Sequence, residues 1–259
     1  MTILCAPLTG NAWAQTKNLN DFINSPASDN KEPTEYRIEH QTNLDAFDRS
    51  IELSQEQALW AALAFEDTSK VRLLLKRGAN PNRPDELSKM TPLMAAETTP
   101  IAAALLQYGA NPKARDRVGL GVLHHAVSMR EGAAIVKLLV DQGVNVDVRT
   151  DDAAKATPLF IALKKYIEGS DKETTEGVIR TLAGLGADLN AFDGRGETPV
   201  AFAAFNNQPE LLRLLIGLGA DPTKKLGNGQ TPLDYARAAN STDAMRVLAE
   251  LPVKSQPTN

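Results

Sequence analysis

A short internal repeat governs what this chain can fold into. Four tripeptides line up along it, Thr91-Pro92-Leu93, Thr157-Pro158-Leu159, Thr198-Pro199-Val200 and Thr231-Pro232-Leu233, with a degenerate copy at Gly121-Val122-Leu123. Three residues after each Leu or Val stands an alanine: Ala96, Ala126, Ala162, Ala203 and Ala236. A sixth copy without Thr-Pro fits at Leu59 and Ala62. A second signature closes each unit, at Gly78-Ala79-Asn80, Gly109-Ala110-Asn111, Gly143-Val144-Asn145, Gly186-Ala187-Asp188 and Gly219-Ala220-Asp221, each preceded by an apolar pair such as Leu74-Leu75. Two independent markers in one register mean that one supersecondary unit recurs along the chain.

The residue types explain themselves as a helical hairpin. Thr is suited to cap the free amides of a first helix, and Pro to occupy its first turn, where no donor is needed. Leu points inward, and the small Ala allows neighbouring helices to approach without overpacking. The closing glycine is expected in the left-handed conformation that ends a second helix. The Leu or Val positions are 34, 30, 36, 41 and 33 residues apart. This spacing and motif set resembles the ankyrin repeat, whose period is about 33 residues.

The resemblance covers about Leu53 to Leu251, six units of which five carry specific motifs. It implies an all-α solenoid of about six helix-turn-helix units joined by β-turns, stable through stacking because no unit buries enough alone. The expected repeat domain is 51–252, with units near 54–83, 86–115, 116–150, 152–190, 193–223 and 226–252 and a tail at 253–259. Three units depart from the pattern. The second is about three residues short between its helices, at Glu97-Thr98-Thr99-Pro100. The fourth carries about eight extra residues around Tyr166 to Glu176, read as a surface loop or helix extension. The last has the polar character of a C-terminal cap.

Composition agrees with stacked helices: 42% of residues are hydrophobic but only 5% aromatic, so Ala, Leu, Val and Ile supply the core. The net charge of −4 gives no basic field for nucleic acid or an anionic membrane. No apolar run reaches the roughly 18 residues of a membrane span. Cys5 is the one cysteine and His40, His124 and His125 are the three histidines, so neither an internal disulfide nor a cysteine zinc site is expected. No cofactor or metal is expected.

The segment Met1 to Ala14 runs from apolar to turn-forming residues and ends in Ala12-Trp13-Ala14, the order of the late part of a secretory signal with a small-x-small cleavage site. The expectation is a start lying inside a longer signal, cleavage after Ala14, and a periplasmic or secreted mature chain. The alternatives are a frayed terminus and a cytoplasmic protein. Residues 15–50 are polar, with Asn, Asp, Ser and Pro clustered in 24–33, and read as a flexible leader.

By resemblance, partners meet the turn tips and the exposed side of the first helices. That places Leu87, Met90, Arg117, Val118, Leu120 and Arg195 at tips, Ser128, Met129, Lys164, Lys165, Phe205 and Asn206 on facing helices, and Phe192 beside a turn. Apolar and Arg side chains on one face are the ingredients of a protein interface; packing of some of them against adjacent tips is the alternative. The function expected is non-enzymatic binding, inhibition or protection of a protein partner by a monomer. A cytosolic scaffold or a secreted host-directed effector is the neighbouring reading. An enzyme with a site near His125 or in the 166–176 insertion is the reading from another class. His124, directly after Leu123, occupies the position where the family motif often has a turn-bracing His. Gly119-Leu120-Gly121 lacks the Gly-Lys-Thr of a phosphate loop, and Asn240-Ser241-Thr242 matches a glycosylation acceptor.

Overall fold

The computed structural model describes residues 54–169 and 171–250; the expected signal segment, leader and C-terminal tail lie outside the described residues. Within them the chain forms eleven α-helices and one short 3₁₀ helix. They pair in order. α1 (Gln55–Ala64) and α2 (Thr68–Lys76) form the first hairpin, and the 3₁₀ helix (Pro92–Ala95) with α3 (Thr99–Gln107) the second. α4 (Val122–Ala126) pairs with α5 (Gly132–Asp141), and α6 (Pro158–Glu168) with α7 (Lys172–Gly184). α8 (Pro199–Phe205) with α9 (Pro209–Gly217) and α10 (Pro232–Ala238) with α11 (Thr242–Ala249) complete the stack.

The Thr-Pro signal does what its chemistry predicts in three units. Thr157 Oγ1 accepts from the Phe160 amide at 3.5 Å, Thr198 Oγ1 from Ala201 at 3.2 Å and Thr231 Oγ1 from Asp234 at 3.3 Å, with proline inside the first turn each time. Thr91 differs. Its hydroxyl is buried with no hydrogen-bond partner, and the element it opens is the four-residue 3₁₀ turn. The second unit's missing residues thus fall on its first helix, which has no room to complete an α-helical turn and its cap. At the other end of the units, Gly78, Gly109, Gly143, Gly186 and Gly219 all have φ between 80° and 106°, the left-handed stop that the repeat signature demands.

Packing follows the repeat. Leu59, Leu93, Leu123, Leu159 and Val200 are at most 1% exposed, and Ala62, Ala96, Ala126, Ala162, Ala203 and Ala236 are fully buried. Full burial of each such Leu or Val contributes about 1.5–3 kcal/mol. They belong to one continuous core that runs the length of the stack, as nearest-neighbour packing requires.

The fourth unit's extra residues lengthen both of its helices, and the surface-loop alternative does not hold. α6 has 11 residues and α7 has 13, against 7 and 9 in the corresponding helices α8 and α9. Asp171 caps α7 through the Thr174 amide at 3.1 Å, and Lys172 Nζ sits 4.8 Å from the centre of the Tyr166 ring. Among the described residues the insertion therefore extends the two helices of one hairpin.

Candidate binding surface

Each turn tip is organised by a side chain that gathers its own loop amides. Asp85 Oδ1 accepts from Leu87 and Ser88 at 2.9 and 2.7 Å. Asp116 Oδ1 accepts from Val118 and Leu120, both at 2.9 Å. Asp193 Oδ1 accepts from Arg195 and Glu197, both at 2.9 Å. Hydrogen bonding holds the Asp85 carboxyl below its ordinary pKa against the opposing effect of burial. In the fourth unit Thr150 Oγ1 takes the role, accepting from the Ala156 amide at 2.9 Å. Leu87, Val118 and Arg195 thus occupy one position, two residues after the bracing Asp, on three tips.

The tips also bond to one another. The Arg117 amide donates to Ser88 O at 2.8 Å, Gly194 to Ala154 O at 2.7 Å and Gly227 to Gly196 O at 3.1 Å. The approach is close enough that a Cβ on Gly194 would lie 1.8 Å from Ala153 O, so only glycine fits there. What results is a row of fixed tips rather than independent loops.

On that row Leu87 is 69% and Val118 63% exposed, and Phe205, at the end of α8, is 53% exposed. Arg117, Ser128, Lys164 and Arg195 are exposed too, whereas Met90, Leu120, Lys165, Phe192 and Asn206 are half-buried. Several of these are engaged within the fold. Lys165 Nζ donates to Ser128 O at 3.2 Å, Asn206 Nδ2 to Phe202 O at 2.8 Å, and Arg117 Nη2 to Glu86 O at 3.2 Å. Lys224 Nζ stands 4.6 Å from the centre of the Phe192 ring. The Phe205 ring meets Tyr235 edge-on, with centroids 6.2 Å apart. Met129 is a correction. It is 3% exposed and part of the core, because α4 stops at Ala126 and the turn that follows, with the Met129 amide on Ala126 O at 3.2 Å, carries the side chain inward.

His124 and His125 both make contacts within the fold. His124 Nδ1 accepts from the Gly121 amide at 3.0 Å and its Nε2 lies 3.2 Å from Ala156 O in the next unit, the turn brace that the motif implies. Burial lowers the His124 pKa, so the neutral ring is the form the site holds. His125 Nε2 meets Asp116 Oδ2 at 2.9 Å. Among the described residues no group of three His, Cys, Asp or Glu side chains is placed to hold a metal, and no helix is long and apolar enough to cross a membrane.

Known proteins show the same architecture. The sequence model of the family "Ankyrin repeats (3 copies)" matches residues 172–258, and that of the single "Ankyrin repeat" matches residues 119–151. The ankyrin repeat domain of Bcl-3, a member of the IkappaB protein family, superposes with a TM-score of 0.64 at 25% identity, covering 86% of this chain and 100% of that one. The chain carries ankyrin repeats. Human ankyrin repeat and SOCS box protein 6 is 30% identical over 152 residues, 55% of this ankyrin chain and 35% of that protein, so the match spans about a third of the relative's length. Putative ankyrin repeat protein FPV230 of fowlpox virus is 28% identical over 185 residues, 94% of its length. A chain from the complex of the Bd0816 predatory endopeptidase of Bdellovibrio bacteriovorus with immunity protein Bd3460 has a TM-score of 0.59 at 28% identity, covering 75% of this chain and 98% of that one.

The ankyrin stack is also cross-linked by residues that the repeat markers do not point to. Arg115 Nη1 donates to Gly119 O in its own hairpin at 2.7 Å and to Arg149 O at 2.9 Å. Arg149 Nη1 repeats the pattern on Lys155 O at 3.0 Å and Phe192 O at 2.7 Å. Arg130 reaches over the shortened second unit to Glu66, while its amide donates to Glu97 Oε2 at 2.9 Å. An Arg one residue before the bracing Asp116 or Thr150 is the sequence signal for the first two.

Proposed function

We propose that this chain is a non-enzymatic protein-interaction module that binds, inhibits or protects a protein partner through its tip row. One observation carries the reading: Leu87 and Val118 stand at the same position on neighbouring tips, each more than half exposed, on loops already fixed by Asp85 and Asp116. Preformed loops lose little entropy on association, and exposed aliphatic side chains beside Arg117 supply an interface core. The likeness to a chain from an endopeptidase–immunity protein complex supports a protein as partner.

The test is affinity capture with the full chain followed by mass spectrometry, in parallel with Leu87→Glu, Val118→Glu, Arg117→Glu and Phe205→Glu. A partner captured by the wild type and lost by the tip variants, with helical circular dichroism unchanged, is the expected outcome. Equal capture by all four would place the interface elsewhere. The reading takes the protein to be monomeric and extracytoplasmic. The latter rests on Ala12-Trp13-Ala14 as a cleavage site, and N-terminal sequencing of the mature protein tests it: a first residue other than Gln15 counts against it.

A further inference from the structure

A second ladder runs along the stack where each second helix has just ended. In three junctions a side-chain oxygen of one unit accepts the backbone amide of the next. Asn82 Oδ1 takes the Asn111 amide at 2.7 Å, Asp147 Oδ1 the Asp188 amide at 3.1 Å, and Asn190 Oδ1 the Asp221 amide at 2.7 Å. Each acceptor lies two residues after the Asn or Asp that follows the left-handed glycine. At the remaining junction of this series that position is Lys113, which has a cation where the others have an oxygen. Among the described residues no acceptor meets the Asn145 amide, and the Asn145 side chain is turned back onto the Asp147 amide at 3.0 Å.

A surface hollow of about 390 Å³ opens at this junction. Pro112, Leu123, Val144 and Val148 contribute apolar walls, and Lys113 and Asn145 line it as well. A lysine, an apolar wall and the residue whose backbone amide has no acceptor line one hollow, a set complementary to a carboxylate on a short alkyl stem. A carboxylate oxygen accepting from the Asn145 amide would restore the contact that Asn82, Asp147 and Asn190 make elsewhere, and Lys113 would pair with its charge.

We infer that the hollow between the second and third units is a second contact site, filled by an Asp or Glu side chain of the protein partner. It relies on the protein-binding reading only for the source of that side chain, and it lies at the hairpin bases rather than on the tips. The test needs no partner. Backbone amide spectra of the full chain are recorded during titration with sodium acetate and, separately, with sodium chloride at matched ionic strength. The expected result is a saturating downfield shift of the Asn145 amide with acetate alone. Lys113→Asn supplies the missing oxygen from within the chain and should abolish the response. Lys113→Ala should raise the half-saturating acetate concentration about three-fold, the worth of an exposed ion pair. An Asn145 amide that moves equally in chloride, fails to move in acetate, or still responds in Lys113→Asn would overturn the assignment. Because the probe is acetate, a failed partner capture leaves this result intact, and the reverse also holds.

Discussion

His125 Nε2 lies 2.9 Å from Asp116 Oδ2, the carboxylate whose other oxygen collects the amides of Val118 and Leu120. The first helix of the third unit thereby supports its own tip from the side. Ala95, Ile161 and Phe202 stand at this position in other units and have no polar group to offer, while in the last unit Tyr235 accepts from Asn228 Nδ2 of its own tip at 3.3 Å, so a carboxylate held in this way is particular to the tip that carries Arg117 and Val118. Removing it with His125→Ala should leave the fold intact and speed hydrogen exchange at the Val118 and Leu120 amides about five-fold, equivalent to a local loss of about 1 kcal/mol. Unchanged exchange at both amides would mean that Asp116 holds the tip unaided.

Arg149 ties two hairpins with one nitrogen, donating to Lys155 O and Phe192 O. Because stack stability is a sum of unit and neighbour contributions, loss of this rung weakens one interface instead of the whole fold. Arg149→Ala should lower the unfolding free energy by about 1 kcal/mol and broaden the urea transition as the two halves begin to unfold separately. A single transition of unaltered midpoint would remove the rung from the account of stability.

The buried His124 couples the stack to pH. Its folded pKa is depressed by burial. The unfolded chain therefore takes up a proton below the ordinary value of about 6.5 while the folded chain does not. Stability is full above that value and is lost as the pH falls from it toward the folded pKa. In thermal melts between pH 7.5 and 5.0, wild type should lose more stability than His124→Gln, although the variant begins lower because the Gly121 and Ala156 contacts are impaired. Parallel pH profiles would assign the loss to other groups.

The repeat was legible in the sequence because its markers are local. Thr157, Thr198 and Thr231 cap helices that begin at the next residue, and Gly143 or Gly186 ends a helix by its own φ. The row of tips was legible for the same reason, since a tip sits at a fixed distance from Thr-Pro-Leu. The cross-links were not. Arg149 bonds to a carbonyl 43 residues away, and a carbonyl has no sequence identity to recognise. Arg130 reaches Glu66 because the intervening unit is short, a consequence of the missing residues that spacing alone does not reveal. Met129 was misplaced by the assumption that a first helix continues past Ala126; in this unit it ends there and the following turn redirects the side chain.

Glu197 provides a test on the tip row itself. It lies two residues after Arg195 on the tip of the fifth unit, where burial, and then the neighbouring Asp193, raise its pKa above the ordinary carboxylate value. An acid with a raised folded pKa favours the fold most when protonated. That contribution is complete below the ordinary value of about 4.3 and is lost as the pH rises through the folded pKa, so at neutral pH the ionised side chain opposes folding. Glu197→Gln, an uncharged isostere, should therefore melt at a higher temperature than wild type at pH 7 and at the same temperature at pH 3.5. The backbone contacts of residue 197 with Asp193 do not depend on the side chain and should survive the change. An advantage of equal size at both pH values would show that the gain comes from packing or hydrogen bonding of the amide and not from removal of the charge.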